Sequence, residues 1–230
     1  MKNLTIAFLT FTIIMTSCKT LGELGLKPSH LENVMALKKI LDSSTFKALK
    51  TLRNVNKDGI EGALPKEIQP VLKTLKALGY GDQVETLTKS IGNASGVMLQ
   101  ESEGIVKDAI SELKFTDAVA VILGGENAAT GVLKNAMYRT VKKRYSNMLE
   151  NELGKTEALK YWPMAAGAYN MFSKNKVDSS LSDFLAERSV DALFLAIGKQ
   201  ESAARSDYKS IGNAVVTKVF DYYSKNKKRS

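Results

Sequence analysis

From Leu31 onward the apolar residues recur at intervals of three and four, the spacing that lines one face of an α-helix. Leu31, Val34, Met35, Ile40 and Leu41, then Phe46, Leu49 and Leu52, predict one helix, or two that part near Asp42-Ser43-Ser44. Asn54 to Leu64 is polar and carries Gly59 and Gly62, so a loop is expected there. Pro65 suits the first position of the next helix, and its stripe of Ile68, Val71, Leu72 and Leu75 ends at Gly79, a C-terminal cap. A third helix is predicted from Asp82, as its cap, to about Leu113, through Val84, Leu87, Ile91, Met98, Val106 and Ile110. Gly92, Gly96 and Gly104 each cost about 0.5 to 1 kcal/mol relative to alanine in a helix, which predicts a break or a close crossing.

Thr116 is expected to cap a short helix that runs to Leu123 and closes at Gly124-Gly125. A long helix from about Asn127 to Leu153 has an inward row of Leu133, Met137, Val141, Tyr145, Met148 and Leu149. Leu159 to Phe172 continues the pattern past Pro163, where a kink or break is expected. The last two helices span Leu181 to about Arg205 and about Tyr208 to Ser224. Alternating β-branched runs long enough for a sheet are missing from the pattern, so the fold class is all-α, a single-domain bundle of about six to eight helices.

The start of the chain departs from this pattern. Lys2 precedes Leu4 to Met15, a run of apolar residues and threonines, and then come Thr16-Ser17-Cys18. The run is about 12 residues, short of the roughly 20 a bilayer-spanning helix needs, so a cleaved secretory leader is expected over residues 1–17. The single cysteine stands just after the small residues where a lipoprotein carries its acylated thiol, although Met15 replaces the leucine usual three residues before it. Cys18 is therefore the lipidation site. Residues 18–30, with two glycines and a proline, form a tether, residues 31–224 the helical domain, and residues 225–230 a basic tail. Acylation anchors firmly, since each buried methylene contributes about 0.8 kcal/mol.

Charge and chemistry narrow the function. The net charge of +9 favours anionic surfaces, whether lipid, cell-wall polymer or an acidic envelope protein, and export makes nucleic acid the weakest of the candidates. The basic surface is assigned to Lys134, Lys142, Lys143 and Arg144 together with Lys227, Lys228 and Arg229 of the tail. With one histidine, His30, and one cysteine reserved for lipid, no thiolate or imidazole metal site can be assembled and no cofactor is expected. Asn54, Asn56, Asp58 and Gly59 imitate the start of a calcium loop, but its twelfth position is Pro65 in place of a glutamate. Neither a serine-hydrolase motif nor a histidine base in the domain is present, and carboxylates such as Glu101 and Glu103 point to different helix faces, so catalysis is not expected. Gly124, Gly125 and Thr130, at the start of a helix, are either a tight helix-to-helix corner, with Gly125 at positive φ, or an anion site. Glu201 and Arg205, one turn apart, are expected to pair as a structural bridge. Trp162, Met164, Tyr169 and Phe172 form the richest aromatic patch, a core feature by default and an apolar ligand patch as the alternative.

Several separated motifs also carry a resemblance. Asp117-Ala118, Val121-Ile122, Gly124-Gly125 and Ala128-Ala129-Thr130, with Leu64-Pro65, Leu78-Gly79-Tyr80-Gly81, Asp108-Ala109-Ile110, Ala192-Leu193-Phe194, Glu201 with Arg205, and Lys218-Val219-Phe220, resemble the bacterial domain-of-unknown-function family 4197. Ile91 to Gly96 departs from the family's Met-Asn-x-Ala-Ala-Glu run, and prolines expected after Tyr145 and near Tyr208 are missing. The resemblance implies an exported, often lipid-anchored protein and supplies no mechanism. The resulting expectation is a non-enzymatic protein of the bacterial envelope, held at the periplasmic face of the outer membrane. The alternative is a helical carrier or sensor that holds a lipid-like molecule between helices.

Overall fold

The computed structural model describes residues 26–57 and 64–227. Its helices are α1 (His30–Lys57), α2 (Ile68–Ala77), α3 (Gly81–Glu112), α4 (Ala118–Leu123), α5 (Ala128–Gly154), α6 (Ala158–Phe172), α7 (Leu181–Ser206) and α8 (Ala214–Lys227), with a 3-10 turn at Tyr208–Ile211. Four long helices form a ring. α7 packs between α1 and α5, and α3 closes the ring against the other sides of α1 and α5, so that α3 and α7 stand across from each other. α2 and α6 pack on each other and on α3, while α4 and α8 pack on α1. The fold is all-α, with no strand among the described residues.

Local chemistry sets the ends of these helices. Ser29-x-x-Glu32 is a capping box: the Glu32 N–H donates to Ser29 Oγ at 3.2 Å, and the Ser29 N–H donates to Glu32 Oε2 at 2.8 Å. At the end of α2, the N–H groups of Gly79 and Tyr80 donate to the carbonyls of Lys76 and Leu75, and Gly79 sits at φ +90°. Only glycine adopts that left-handed turn without strain. α4 begins at Asp117, whose carboxylate accepts from the Ala120 N–H at 2.8 Å, so Asp117 caps this helix instead of Thr116.

Other expectations are corrected. Of the two alternatives for the first stripe the single helix holds: α1 does not break at Asp42-Ser43-Ser44, because Ser44 and Thr45 are themselves buried and carry the inward face from Leu41 to Ala48. Leu31, Met35 and Phe46 lie on the solvent side of that helix, with Leu31 67 % exposed. α1 extends through Asn54 and Asn56, which removes the start of the supposed calcium loop; Asp58, Gly59 and Gly62 lie outside the described residues. α3 runs unbroken through its glycines, and a methyl group added at Gly96 or Gly104 would meet nothing within 4 Å, so no close crossing occurs at those two. α6 carries Pro163 without interruption. The last helix starts later than expected, because Gly212 at φ +67° ends the 3-10 turn and α8 begins at Ala214. α8 then continues to Lys227, into the segment expected to be a free tail.

Candidate functional site

The most highly organised polar cluster joins α4, α5 and α7. α4 has only six residues, so its terminal carbonyls and the first N–H groups of α5 meet at Gly124-Gly125 with few partners within their own helices. Two side chains from α7 supply them. Glu201, fully buried, accepts from the N–H groups of Ala129 at 3.0 Å and Thr130 at 2.6 Å, and from Thr130 Oγ1 at 2.5 Å. Arg205 donates through Nε to Glu201 at 2.7 Å and through its two terminal nitrogens to the carbonyls of Ile122 and Val121 at 2.9 and 3.1 Å. The carboxylate thus faces the positive end of the α5 dipole and the guanidinium the negative end of α4. Arg205 also lies 5.7 Å from the Phe220 ring of α8, and Ser202 of α7 donates to Glu126 in the corner itself at 2.8 Å.

This arrangement corrects two expectations. The N-terminus of α5 can hold an anion, but the anion is the chain's own Glu201, so Thr130 is part of an internal clasp. Gly125 is not among the glycines at positive φ, and a Cβ there meets nothing within 4 Å. The tight position is Gly124: a Cβ would stand 3.0 Å from the Ala120 carbonyl oxygen and 3.1 Å from Ala128 Cβ. The expected pairing of Glu201 with Arg205 is present, and it is buried where an ordinary one-turn pair would be exposed.

The aromatic patch does not converge. Trp162 is fully buried, with Nε1 donating to the Asp178 carbonyl at 2.9 Å and its ring 5.8 Å from Phe184. Tyr169 stands two turns on and packs against the core from the same side, whereas Met164 is exposed and Phe172 is 89 % exposed. The apolar concavity lies elsewhere, between α3 and α7 beside the end of α1, with a volume of about 590 Å³. Leu52, Leu64, Met98, Leu99, Leu185 and Leu195 supply its apolar wall. Lys66, Glu67 and Arg188 stand at its polar side, with Arg188 Nε 3.3 Å from Glu67 Oε1.

The basic residues of α5 divide into two groups. Lys134 pairs with Asp191 at 3.2 Å and Lys142 with Glu187 at 2.5 Å, both across to α7, and the Glu187 carboxylate raises the Lys142 pKa above its ordinary value. Lys143 and Arg144 are exposed. Glu101 and Glu103 are exposed as well, and Glu103 pairs with Arg53 at 3.4 Å. Among the described residues no cluster of histidine, cysteine or carboxylates has the makings of a metal site. Cys18, Lys228 and Arg229 lie outside the described residues, and Lys227 is the last residue of α8.

A further site lies where the chain enters the domain. Asn33 Nδ2 in the first turn of α1 donates to the Tyr223 hydroxyl at 3.2 Å, and Lys218 pairs with Glu32 at 2.6 Å, so the middle of α8 lies against the start of α1. At the start of the domain Leu26, Lys27, Leu31 and Met35 are exposed, and Lys225 near the end of α8 is exposed as well. Leu31 and Met35, expected in the core from their spacing, lie on the solvent side of α1, because burial of a helix face depends on what packs against it.

Taken together, the fold defines an all-helical domain whose α4, α5 and α7 are joined by an internal clasp. A protein-family model described as "Protein of unknown function (DUF4197)" matches residues 27–221, and the chain belongs to that family. No curated protein and no solved structure matches it. Of the residues that carry the family resemblance, Val121, Ile122, Ala129, Thr130, Glu201, Arg205 and Phe220 meet in the clasp.

Proposed function

We propose that this is a lipid-anchored envelope protein with a non-enzymatic binding or structural role, acylated at Cys18 and held at the periplasmic face of the outer membrane. In this reading the exposed face at the start of α1 meets the bilayer. The observation that carries it is the exposure of Leu26, Leu31 and Met35 at the start of the domain, where Lys27 is exposed as well. Exposed apolar side chains on a basic protein suit an anionic membrane surface: the apolar groups enter the headgroup layer, and each basic residue near the lipid contributes about 1 kcal/mol. A tether of a dozen residues or so keeps that surface at high local concentration, so weak contacts suffice to orient the domain. The paired state of Lys134 and Lys142 makes the α5 face the weaker candidate for the same role.

Two measurements test this. Metabolic palmitate labelling and fractionation of Cys18→Ala should show loss of label, of processing and of membrane retention; a labelled variant, or a processed variant that stays tightly membrane-bound, overturns the anchor. Flotation of the unacylated chain with vesicles containing anionic phospholipid should show binding at low ionic strength that high salt removes. Leu31→Ser with Met35→Ser should weaken flotation without lowering the melting temperature, and unchanged flotation overturns the orientation.

A further inference from the structure

We propose that the concavity between α3 and α7 binds a single-chain anionic amphiphile, a fatty-acid-like carboxylate, with its chain along the leucine wall and its headgroup at Arg188. The site is independent of the lipid anchor. It exists because α3 and α7 stand across the helical ring from each other, so that their facing sides meet only across the gap beside Leu52 of α1. Its volume of about 590 Å³ falls within the roughly 300 to 1,000 Å³ of small-molecule sites.

The lining is ordered along α7. Leu185, Arg188, Ala192 and Leu195 recur at three and four and share one face of the helix. Leu195 lies seven residues past Arg188, about 10 Å along the axis, and is 62 % exposed, an apolar side chain left uncovered beside the concavity. An extended hydrocarbon laid over that interval would cover Leu195 and contact Met98 and Leu99 on the opposite wall.

The polar side fits a monoanion. Lys66 and Arg188 set two positive charges against the single carboxylate of Glu67. Arg188 is also incompletely matched: its Nε is buried and makes no hydrogen bond, although Glu67 Oε1 stands 3.3 Å away as an ion pair. Its guanidinium lies 5.5 Å from the Phe184 ring, which holds the group in place. A guanidinium with unused donors beside an apolar wall recognises a carboxylate through paired N–H contacts, which a neutral headgroup cannot reproduce.

The test uses the full chain with Cys18→Ser, so that no attached acyl chain competes, and two probes, dodecanoate and dodecanol, titrated below their aggregation concentrations. Dodecanoate should bind one per chain and dodecanol about tenfold or more weaker. Arg188→Gln should bring dodecanoate down to the level of the alcohol and leave dodecanol unchanged. Leu195→Glu, at an exposed position that does not endanger folding, should weaken both probes. Equal binding of the two probes, no binding of either, or dodecanoate binding indifferent to Arg188→Gln and Leu195→Glu would each overturn the proposal.

Discussion

Glu201→Gln is the most informative single change, because the clasp makes a quantitative demand on it. The carboxylate accepts four contacts, from two backbone N–H groups, the Thr130 hydroxyl and the Arg205 guanidinium, and it is fully buried. An amide of the same shape keeps one acceptor oxygen and turns an NH2 toward groups that are themselves donors. It also leaves Arg205, whose side chain is 9 % exposed, without a counter-charge. Removing one member of a buried pair costs about 3 to 5 kcal/mol, whereas an exposed one-turn pair contributes about 0.3 to 0.5 kcal/mol. The retained Val121 and Ile122 carbonyl contacts to Arg205 favour the lower end, so a loss of about 3 kcal/mol is expected. For a domain of this size that corresponds to a fall in melting temperature of roughly 6 to 12 °C. Guanidinium denaturation followed by far-ultraviolet circular dichroism measures it, and Arg205→Met completes a double-mutant cycle whose coupling should reach 1 kcal/mol or more. A loss below about 1 kcal/mol, or additive single losses, would mean that packing alone holds the α4–α5 corner.

Gly124→Ala should destabilise by about 1 to 3 kcal/mol, because its methyl group would crowd the Ala120 carbonyl and Ala128, while Gly125→Ala should be close to neutral; the same denaturation series decides, and the reverse order would refute the geometry. Glu32 is held down to about 2, against an ordinary 4.5, by its hydrogen bond to Lys218 and by the Ser29 backbone N–H. Its contribution should therefore be complete above about pH 5 and disappear as the pH falls toward 2, and Glu32→Gln should flatten stability across that window in an acid titration. Tyr145, which burial pushes up to about 12, bonds the Ser102 hydroxyl at 2.6 Å, so Tyr145→Phe should cost about 1 kcal/mol by thermal unfolding without altering the helical spectrum.

How much of this was legible in the sequence depended on how local its cause was. The four-residue stripe of α2, the inward row of α5 and the Gly79 cap are set by side chains within a turn or two of one another, so periodicity and turn chemistry located them. The same local rules misplaced features whose outcome depended on distant partners. Asp42-Ser43-Ser44 resembles a helix break, yet Ser44 and the adjoining Thr45 are carried inward because the neighbouring helices cover that face of α1. Leu31 and Met35 look like core residues, yet they lie on the side of α1 that the other helices leave exposed.

The sequence by itself determined the helical class, most helix boundaries, the positive charge, and the leader-and-cysteine pattern from which the lipid anchor is proposed. Each rests on composition or on interactions that repeat along the chain. Only the tertiary structure decided that Glu201 reaches across more than seventy residues to the N-terminus of α5, and that Arg205 reaches the carbonyls ending α4. It also separated the aromatic patch, with Trp162 in the core and Phe172 in solvent, and placed the apolar concavity between α3 and α7. The physical reason is that burial and charge pairing are sums over neighbours in space. A one-dimensional pattern specifies which face of each helix is apolar, but not which helix will cover it.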